Sequence, residues 1–437
     1  MNNTEQLKTA SIWQGPSSRL FTTMSILKSP FTSYRKWRKL YGDTMCIKAL
    51  NGDVVVSCNT EFVKDFITLK SEEHIPFGME AASPVFGSGS LLTLNGQRHA
   101  KERKLLLPPF RGERMQTYLA VINTAAKERI AGWSGKLTLT DAVMPISLDV
   151  IIQVVFGARD PQKVIRYHEL IRSFIKSFKP IFIFSPKMQF SFLGLSPWDR
   201  FLKAKQSLID QLKEEVRQRK TETPGEDILS ILLQATYEDG QAMDEDEMVD
   251  ELITLLIAGH ETTQITIAWA LYWIYGNEKV LDKLKTEIST AEDLNTLLKL
   301  PYLDAVVNET LRIDPIVPDV LRTLSVDKKI GEYTYPAGTH LAVVTALIHS
   351  REDLYPEPDK FNPERWLNQK TRPWTFFPFG GGARRCIGAA LAIAEIKIVI
   401  AEVVNSLHLD IKSKEYSKRV NVVMAPANGV KAEVTRI

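Results

Sequence analysis

The order of apolar and polar residues along the chain predicts a protein built mainly of helices. Several long stretches repeat apolar residues at the spacing of one helix face or are apolar on all sides. These stretches are residues 114–131, 200–220, 244–275, 302–312 and 388–407. Extended segments are expected near residues 44–57, around residues 323–344 and at the C-terminal end. The pattern therefore predicts a mainly α fold with a small β-sheet subdomain.

The chain shows no internal repeat, low-complexity tract or linker that would separate two folding units. A helical mass with a small sheet assembled from distant parts of the sequence fits one domain. We therefore expect residues 1–437 to form a single domain, in which residues 1–40 lead into a core of residues 41–437, and we expect a monomer.

Composition narrows the class of protein. Of the 437 residues, 44% are apolar and 24% are charged, and a net charge of +3 is too small to indicate a nucleic-acid partner. The first thirty residues contain no positively charged stretch leading into an apolar run, so we expect no signal peptide. The most apolar region, residues 252–275, is interrupted by polar residues from His260 to Gln264, so we expect no transmembrane anchor. These features predict a cytoplasmic protein.

Three cysteines are too few for a disulfide framework. Cys46 and Cys58 flank residues 50–53, which are typical of a hairpin turn. If Asn51 and Gly52 form the two-residue loop, Cys58 lies opposite Met45 and the two thiols face opposite sides. We expect both to be small buried residues in a reducing compartment.

The third cysteine, Cys386, ends a glycine-rich loop that leads directly into an apolar helix. A helix N-terminus and the neighbouring Arg384 and Arg385 favour the thiolate form. Taken alone, such a cysteine is also compatible with a redox-sensitive thiol or an incidental surface residue. The complete segment 379–388, FGGGARRCIG, resembles the haem-ligand signature of the cytochrome P450 superfamily, Phe-x-x-Gly-x-Arg-x-Cys-x-Gly, at every fixed position.

This resemblance extends from about residue 41 to the end of the chain, and it implies a triangular prism of helices around one haem b (iron protoporphyrin IX). It makes Cys386 the axial thiolate ligand of the iron, with backbone N–H groups just after it directed at the sulfur. Phe379 would keep water from this ligand, and Gly382 and Gly388 would keep side chains away from the macrocycle. Four basic residues would contact the haem propionates: Arg384, His99, Arg103 and Arg322.

The helix expected at residues 244–275 carries polar residues at its buried midpoint. Residues 258–263, AGHETT, resemble the oxygen-activation motif of the same superfamily. Beside Ala258 and Gly259, the hydroxyl of Thr262 would bond back to the carbonyl four residues earlier, kink the helix and leave a groove for dioxygen. Thr262 would supply protons for oxygen activation, relayed from solvent by Glu261. Alone, the motif is equally compatible with a kinked helix that carries an ordinary polar cluster.

Two further segments resemble structural parts of the superfamily. Glu309 and Arg312 lie three residues apart on one predicted helix face, a spacing that is also common in solvated ion pairs. Residues 361–366, FNPERW, resemble the segment that supplies a second arginine, Arg365. The resemblance therefore implies a buried triad of Glu309, Arg312 and Arg365 that fixes the loop carrying Cys386.

The region from Arg98 to Arg114 is basic, with six Arg or Lys against two Glu. Arg98, Lys101 and Lys104 would form a basic rim for an acidic ferredoxin or flavodoxin, which an NAD(P)H reductase would reduce. A solvated charged helix explains the same residues equally well. Because no flavin or iron–sulfur segment is visible in this chain, we expect its electrons to come from separate proteins.

Residues that would contact a lipophilic small-molecule substrate follow from the resemblance. Six phenylalanines fall between residues 174 and 192, interleaved with Lys176, Lys179 and Lys187, which suggests an apolar entrance that also touches a membrane surface. Ordinary core packing explains most such aromatic residues. The expected contacts are Phe77, Phe86, Phe174, Phe178, Ile316, Val317, Val320 and Met424.

The expected reaction inserts one oxygen atom of O2 into a fatty acid, a terpenoid or another lipophilic natural product, most simply as a hydroxylation. The pair of Glu261 and Thr262 favours monooxygenation driven by external electrons. The residues leave open a haem-thiolate peroxygenase, an isomerase or an oxidative coupling enzyme. They also leave open a haem protein without catalysis that senses a gas or carries a ligand. Segments such as residues 348–358 and 105–110 look most like bacterial members, especially cyanobacterial ones.

Overall fold

The computed structural model describes residues 13–184, 186–368 and 374–437. The helices are α1 (Arg19–Lys28), α2 (Pro30–Tyr41), α3 (Thr60–Ile67), α4 (Met79–Phe86), α5 (Gly96–Leu106), α6 (Arg114–Ile130), α7 (Leu139–Phe156), α8 (Pro161–Ser177), α9 (Ile181–Phe184), α10 (Pro197–Arg219), α11 (Ile228–Gln234), α12 (Glu245–Tyr275), α13 (Glu278–Ile288), α14 (Leu294–Leu297), α15 (Pro301–Ile313), α16 (Thr345–His349), α17 (Arg365–Asn368) and α18 (Ala389–Ser406).

The strands are short and lie in four small sheets. They are β1 (Thr44–Ala49), β2 (Gly52–Ser57), β3 (His74–Pro76), β4 (Gly135–Thr138), β5 (Asp319–Leu324), β6 (Lys328–Ile330), β7 (Tyr333–Tyr335), β8 (His340–Val344), β9 (Leu407–Ile411), β10 (Ser417–Val420), β11 (Val423–Pro426) and β12 (Lys431–Arg436). The largest sheet has the order β1-β2-β8-β5-β3, in which β2 and β8 are parallel. This sheet joins the start of the chain to residues beyond 319, so the predicted mainly α fold with a small sheet is confirmed.

The predicted helices are confirmed, with shifts of a few residues at their ends. The largest shift is in α10, which begins at Pro197 because Ser196 caps it, accepting a hydrogen bond from the backbone of Asp199 at 3.0 Å. α12 begins after Asp244, whose side chain accepts from the backbone of Glu247 at 2.8 Å, as the capping pattern predicts. Capping residues therefore determine where α10 and α12 begin.

Helix α12 runs through the centre of the helical part of the molecule. It packs against α7, α10, α15 and α18, and most of its side chains are buried. Such a helix is apolar on nearly all sides because most of its faces meet other helices. The polar residues at its midpoint therefore face the interior of the protein.

Helix α7 is a second buried helix at the core. Among the described residues it is the one helix long and apolar enough to cross a membrane, so the most apolar stretch lies at residues 139–156 and not, as expected, at 252–275. Most of α7 is buried against α12, α6 and α11. Packing inside the protein therefore explains its composition.

The hairpin of β1 and β2 turns one residue earlier than predicted. Ala49 pairs with Gly52, so the loop is Leu50-Asn51, and Cys46 lies opposite Val55. β2 begins at Gly52, whose φ is +135°, and the ring of His340 would lie 3.3 Å from a Cβ at this position. Both features favour glycine there. Cys46 and Cys58 are buried and free, as expected.

Candidate functional site

Cys386 lies in a tight loop immediately before α18. Its backbone N–H donates to the carbonyl of Phe379 at 2.9 Å, which closes the glycine-rich segment, and residues Gly382–Arg384 form a 3-10 turn inside it. The backbone N–H of Gly388 donates to the sulfur, as the resemblance implies. The side chain of Cys386 remains accessible. The loop thus presents one thiol whose sulfur already receives a backbone hydrogen bond.

Groups around Cys386 act on the pKa of its thiol in opposite directions. Desolvation by the surrounding loop raises that pKa, although part of the side chain is accessible, and the Gly388 N–H, Arg103 and Arg385 lower it by less. A bound metal cation would reverse this balance, since a coordinating thiol is deprotonated by the cation.

The two glycines of the motif serve different purposes. Gly382 has φ +62°, and a Cβ there would lie 2.0 Å from the carbonyl oxygen of Ile67. The chain therefore needs glycine at residue 382 to let the end of α3 pass, and proximity to a macrocycle stays a prediction. At Gly388 a Cβ would meet, among the described residues, only the ring of Phe110, at 3.9 Å, so packing against them does not require glycine there.

Two guanidinium groups close to the loop, those of the buried Arg322 and the partly buried Arg384, form no ion pair with a carboxylate among the described residues. Arg322 donates to the carbonyls of Phe66 and Gly381, and Arg384 donates to those of Leu91 and Leu94. The Nε atoms of both arginines are buried and have no hydrogen-bond partner among the described residues. Buried charges are normally paired, so these two arginines indicate a site for an anionic ligand.

Their electrostatic effect is visible on each other and on a nearby histidine. Burial and the charge of Arg384 lower the pKa of Arg322 to about 9, and burial and Arg103 lower that of Arg384 to about 10. Burial followed by the charges of Arg384, Arg103 and Arg322 lowers the pKa of His99 to about 4. The four predicted propionate residues are therefore brought together in one positively charged region.

His99 and Arg103 occupy this region in different ways. His99 is buried on α5, with its Nδ1 3.3 Å from the hydroxyl of Ser71. Arg103, one turn later, donates to the carbonyl of Arg385, which adjoins Cys386. A soft sulfur ligand next to unpaired buried cations fits an iron porphyrin that carries two carboxylates. The chemistry of the residues present therefore suits haem.

The midpoint of α12 presents a small accessible face. Ala258 is exposed although most residues of the helix are buried, and Thr262, one turn later, is partly accessible. The hydroxyl of Thr262 donates to the carbonyl of Ala258 at 2.9 Å, the back-bond that the sequence predicts. α12 nevertheless continues without interruption from Glu245 to Tyr275. Gly259 faces the opposite way, because a Cβ there would lie 2.7 Å from Ile151 of α7.

Glu261 has a partner that the sequence analysis did not identify. The side-chain amide of Asn421 donates to its Oε1 at 3.0 Å. Burial raises the pKa of Glu261, and the Asn421 hydrogen bond opposes that rise. Asn421 lies 160 residues further along the chain, so no local sequence signal links the two. His260, the remaining polar residue of the motif, bonds locally to the carbonyl of Leu256 at 2.7 Å.

The predicted triad forms in the interior of the protein. Arg312 makes two hydrogen bonds to Glu309, of 2.8 and 2.9 Å, and the Nε of Arg365 lies 3.1 Å from Glu309 Oε1. Glu309 also accepts from the backbone of Asn362 and the indole of Trp366, both at 2.9 Å. The alternative interpretation, a solvated ion pair on a helix surface, is therefore wrong, since Glu309 and Arg312 are buried.

The triad is connected to the segment that leads to Cys386. The ring of Trp366 lies 4.4 Å from that of Phe376. Tyr355, whose ring Arg312 overlies, donates its hydroxyl to the carbonyl of Thr375 at 2.9 Å. These contacts hold residues 374–377, immediately before the loop, against the triad.

The predicted basic rim on α5 is neutralised within the protein. Arg98 pairs with Glu247, Lys101 with Asp239 and Lys104 with Glu238. The sequence could not indicate these pairs because the acidic residues lie more than 130 residues later. Arg111 and Arg385, both exposed near Arg103, form no ion pair among the described residues. Excess positive charge therefore lies beside Cys386 and not along the exposed face of α5.

The predicted substrate contacts fall into two groups. Phe174 and Phe178 lie in a buried aromatic cluster with Phe182, Trp198 and Phe201, so core packing accounts for them. The other members lie on α4, just after β3, in the turn after α15, on β5 and on β11. These are the half-buried Phe77, Phe86 and Val320, the exposed Val317, and the buried Ile316 and Met424.

The aromatic stretch after α8 is exposed at its far end. Phe190, Phe192, Leu193 and Leu195 are 50%, 61%, 84% and 68% exposed. The side chain of Phe184, another of the six phenylalanines, lies outside the described residues. The stretch thus combines a buried aromatic anchor with an exposed apolar loop.

The sequence matches the profile of the family described as Cytochrome P450 over residues 16–431. The protein named cytochrome P450 138 of Mycobacterium tuberculosis (strain ATCC 25618 / H37Rv) is 30% identical over 432 residues, which cover 97% of this chain and 95% of that protein. The protein named cytochrome P450 135B1 of the same strain is 32% identical over 359 residues, covering 80% of this chain and 75% of that one.

Solved structures share the fold. The retinoic acid-bound cyanobacterial CYP120A1 superposes with a TM-score of 0.84 at 22% identity, covering 95% of this chain and 96% of that one. The cytochrome P450DA heme domain superposes with a TM-score of 0.84 at 19% identity, covering 97% of each chain. The arrangement of helices and small sheets is therefore the one these proteins have.

Proposed function

This chain belongs to the cytochrome P450 family and is a haem-thiolate monooxygenase, and from that premise we propose that Cys386 is the axial ligand of its haem iron. Cys386 is the accessible cysteine, and its sulfur already receives the N–H of Gly388. That hydrogen bond would moderate how strongly the sulfur donates electrons to the metal. The other two cysteines are buried within the sheet region and lack this setting.

Arg322, Arg384, Arg103 and His99 would hold the haem propionates. The single observation that carries the proposal is the pair of arginines, Arg322 and Arg384, whose buried Nε atoms have no partner among the described residues. Two carboxylates would neutralise a region that is otherwise strongly positive. When bound, the haem supplies the binding and reductive activation of dioxygen.

Thr262 and Glu261 would deliver the protons that oxygen activation consumes. The hydroxyl of Thr262 lies on the accessible face of α12 and is already oriented by the carbonyl of Ala258. Glu261 is an adjacent carboxyl group whose pKa burial raises, so it can hold a proton closer to neutral pH than an exposed glutamate. The overall reaction takes R–H, O2, two electrons and two protons to R–OH and H2O.

The substrate is proposed to be a lipophilic small molecule. Ile316 packs with Val423 and Ala425 of the β10–β11 hairpin and with Ile265 of α12, so the walls near the accessible face are apolar. Hydroxylation of a fatty acid or a terpenoid fits such walls. Retinoic acid, which one of the solved structures contains, is a reasonable member of a test library.

The ligand assignment is tested by the absorption spectrum of the reduced protein with carbon monoxide. We expect a thiolate-type spectrum in the wild type and its loss in Cys386→Ser. Cys58→Ser, which also removes one free thiol, is the matched control and should keep the spectrum. A Cys386→Ser variant that retains the thiolate-type spectrum would exclude Cys386 as the ligand.

The substrate class is tested by titrating the oxidised protein with fatty acids, terpenoids and aromatic compounds. A bound compound that displaces water from the iron changes the absorption spectrum. Analysis of the products formed from the compounds that bind then identifies the reaction. Product formation with peroxide alone, and none with NAD(P)H and electron-transfer proteins, would favour a peroxygenase instead.

An acidic ferredoxin or flavodoxin is proposed as the electron donor, docking beside Cys386. Arg103, Arg111 and Arg385 concentrate positive charge there, whereas Lys104 is paired with Glu238. We expect Arg111→Glu to slow the first reduction roughly tenfold at low ionic strength, and Lys104→Glu to slow it much less. Equal effects of the two variants would contradict docking at this patch.

We also propose that the loop of Phe190, Phe192, Leu193 and Leu195 touches an anionic lipid surface. Its exposed apolar side chains lie near Lys187 and Arg200, a combination that favours interfacial binding. Flotation with vesicles of phosphatidylcholine, with and without phosphatidylglycerol, tests this. Phe192→Ser should reduce binding, and Val326→Ser, at an exposed apolar residue elsewhere, should not.

A further inference from the structure

Asn421 occupies the tip of the hairpin formed by β10 and β11. Val420 pairs with Val423, so Asn421 and Val422 form the two-residue loop between the strands. The φ of Asn421 is +54°, in the left-handed region that asparagine and glycine tolerate better than other residues. Turn geometry alone would therefore explain an asparagine or a glycine here.

The side chain of Asn421 does more than satisfy the turn. Its amide donates to Glu261 Oε1 at 3.0 Å, across from the midpoint of α12. Burial is the larger influence on the pKa of Glu261 and the Asn421 hydrogen bond is the second, and neither comes from a charged side chain. The orientation of the carboxyl group that would relay protons thus depends on one neutral donor from a distant hairpin.

The hairpin is also tied to the segment that follows α15. The backbone N–H of Met424 donates to the carbonyl of Ile316 at 2.8 Å, and the hydroxyl of Ser417 donates to Asp314 at 2.6 Å. The indole of Trp273, on α12, donates to the other oxygen of Asp314 at 2.8 Å. Ile316, Val317 and Met424, the proposed substrate contacts, are therefore connected to the hairpin that carries Asn421.

We propose that Asn421 is a positioning residue that orients Glu261 for proton delivery and links that orientation to the substrate-contact segment. The proposal rests on the proposed function, because it assigns Glu261 the role of proton relay. A substrate that packs against Ile316 or Met424 would fix the hairpin, and the fixed hairpin would hold the Glu261 carboxyl group in place. Proton delivery would then be most effective when substrate is bound.

Two substitutions separate this role from a requirement of the turn. Asn421→Gly keeps the left-handed φ and removes the donor, and Asn421→Asp keeps the size of the side chain but replaces the donor by an acceptor. We expect both to retain haem and substrate affinity while the yield of product per O2 consumed falls roughly tenfold. Full coupling in both variants would overturn the proposal.

A double-mutant cycle shows whether Asn421 acts through Glu261. In a Glu261→Gln background, where the relay is already removed, Asn421→Gly should reduce coupling no further. If it lowers coupling by the same factor in both backgrounds, Asn421 acts independently of Glu261 and the proposal is wrong. KM should change little in Asn421→Gly while kcat falls, since the side chain is assigned no contact with substrate.

Amide hydrogen exchange provides a measurement that does not depend on turnover. Glu261→Ala removes the acceptor, so we expect the amides of residues 420–423 to exchange severalfold faster. The β6–β7 hairpin, residues 328–335, is the internal control and should not change. Unchanged exchange at 420–423 would show that the contact does not hold the hairpin. Failure here leaves the haem-ligand assignment intact, because the carbon monoxide spectrum of Cys386→Ser tests that separately.

Discussion

The carboxylate of Glu309 and the guanidinium of Arg312 form a two-point contact inside the protein. Nε of Arg312 lies 2.8 Å from Oε2 and Nη2 lies 2.9 Å from Oε1 of Glu309. Both side chains are at most 1% exposed. Because Arg365 and Trp366 also donate to Glu309, this single carboxylate joins α15 to the segment before the Cys386 loop.

Neutralising Glu309 should therefore destabilise the protein strongly. Glu309→Gln leaves Arg312 buried without a counter-charge, and we expect the free energy of unfolding to fall by about 3–5 kcal/mol. Denaturation in urea measures the change. Glu357→Gln, which removes an exposed ion pair with Lys360, is the control and should have no clear effect. A small loss in Glu309→Gln would show that the triad is dispensable.

The contact between Gly259 and Ile151 should appear in a double-mutant cycle. A Cβ at residue 259 would lie 2.7 Å from Cδ1 of Ile151, so Gly259→Ala should cost about 1–3 kcal/mol by overpacking. Ile151→Val removes that Cδ1 atom. Cγ1 of residue 151 would still lie 3.1 Å from the added Cβ, so the double variant should lose less stability than the sum of the two single variants, of which Ile151→Val alone loses about 1 kcal/mol. Strict additivity in thermal unfolding would contradict the predicted clash.

Gly382 and Gly388 should respond differently to alanine. Gly382→Ala places a Cβ 2.0 Å from the carbonyl oxygen of Ile67 at a φ of +62°, so we expect a loss of roughly 1–3 kcal/mol in the haem-free protein. Gly388→Ala meets no such obstacle and should leave haem-free stability unchanged while reducing haem content. Melting temperatures without haem and haem-to-protein ratios distinguish these outcomes, and equal destabilisation would contradict them.

His260 should make stability depend on pH in mildly acidic solution. Burial lowers its pKa to about 4 in the folded protein, whereas an unfolded histidine has a pKa of about 6.5. The unfolded chain therefore binds more protons below pH about 6.5, so the free energy of unfolding falls as pH decreases. From pH 7.5 to 5 this residue should account for about 2 kcal/mol.

Urea denaturation across that pH range measures the effect of His260. His260→Gln should lose less stability on acidification than the wild type, although it is less stable at neutral pH. His408→Gln, at an exposed histidine, is the control and should follow the wild type. Parallel pH profiles for the wild type and His260→Gln would show that the residue does not titrate as described.

Thr262 should control the coupling of oxygen consumption to product. Thr262→Val keeps the shape of the side chain but removes the hydroxyl on the accessible face of α12, and we expect coupling to fall by roughly tenfold or more. Thr263→Val removes a buried hydroxyl that bonds to the carbonyl of Gly259 at 3.2 Å, and it should preserve coupling. The ratio of product formed to oxygen consumed measures this coupling in each variant. Unchanged coupling in Thr262→Val would remove Thr262 from the mechanism.

The tertiary structure corrects the sequence analysis mainly at pairings between distant residues. The basic rim of α5 is cancelled by acidic residues at 238–247, and Asn421 reaches Glu261 from the far end of the chain. Phe174 and Phe178 are core residues because helix packing brings Trp198 and Phe201 against them. None of these contacts leaves a pattern within a short stretch of sequence.

The sequence by itself determined the helices, their caps and the Cys386 segment, since apolar periodicity, capping residues and a ten-residue motif are local properties of the chain. It also determined which residue types could hold an iron porphyrin. Only the tertiary structure decided which charges are left unpaired and which groups surround Cys386. The physical reason is that desolvation and ion pairing depend on every group nearby in space, and those groups come from segments hundreds of residues apart.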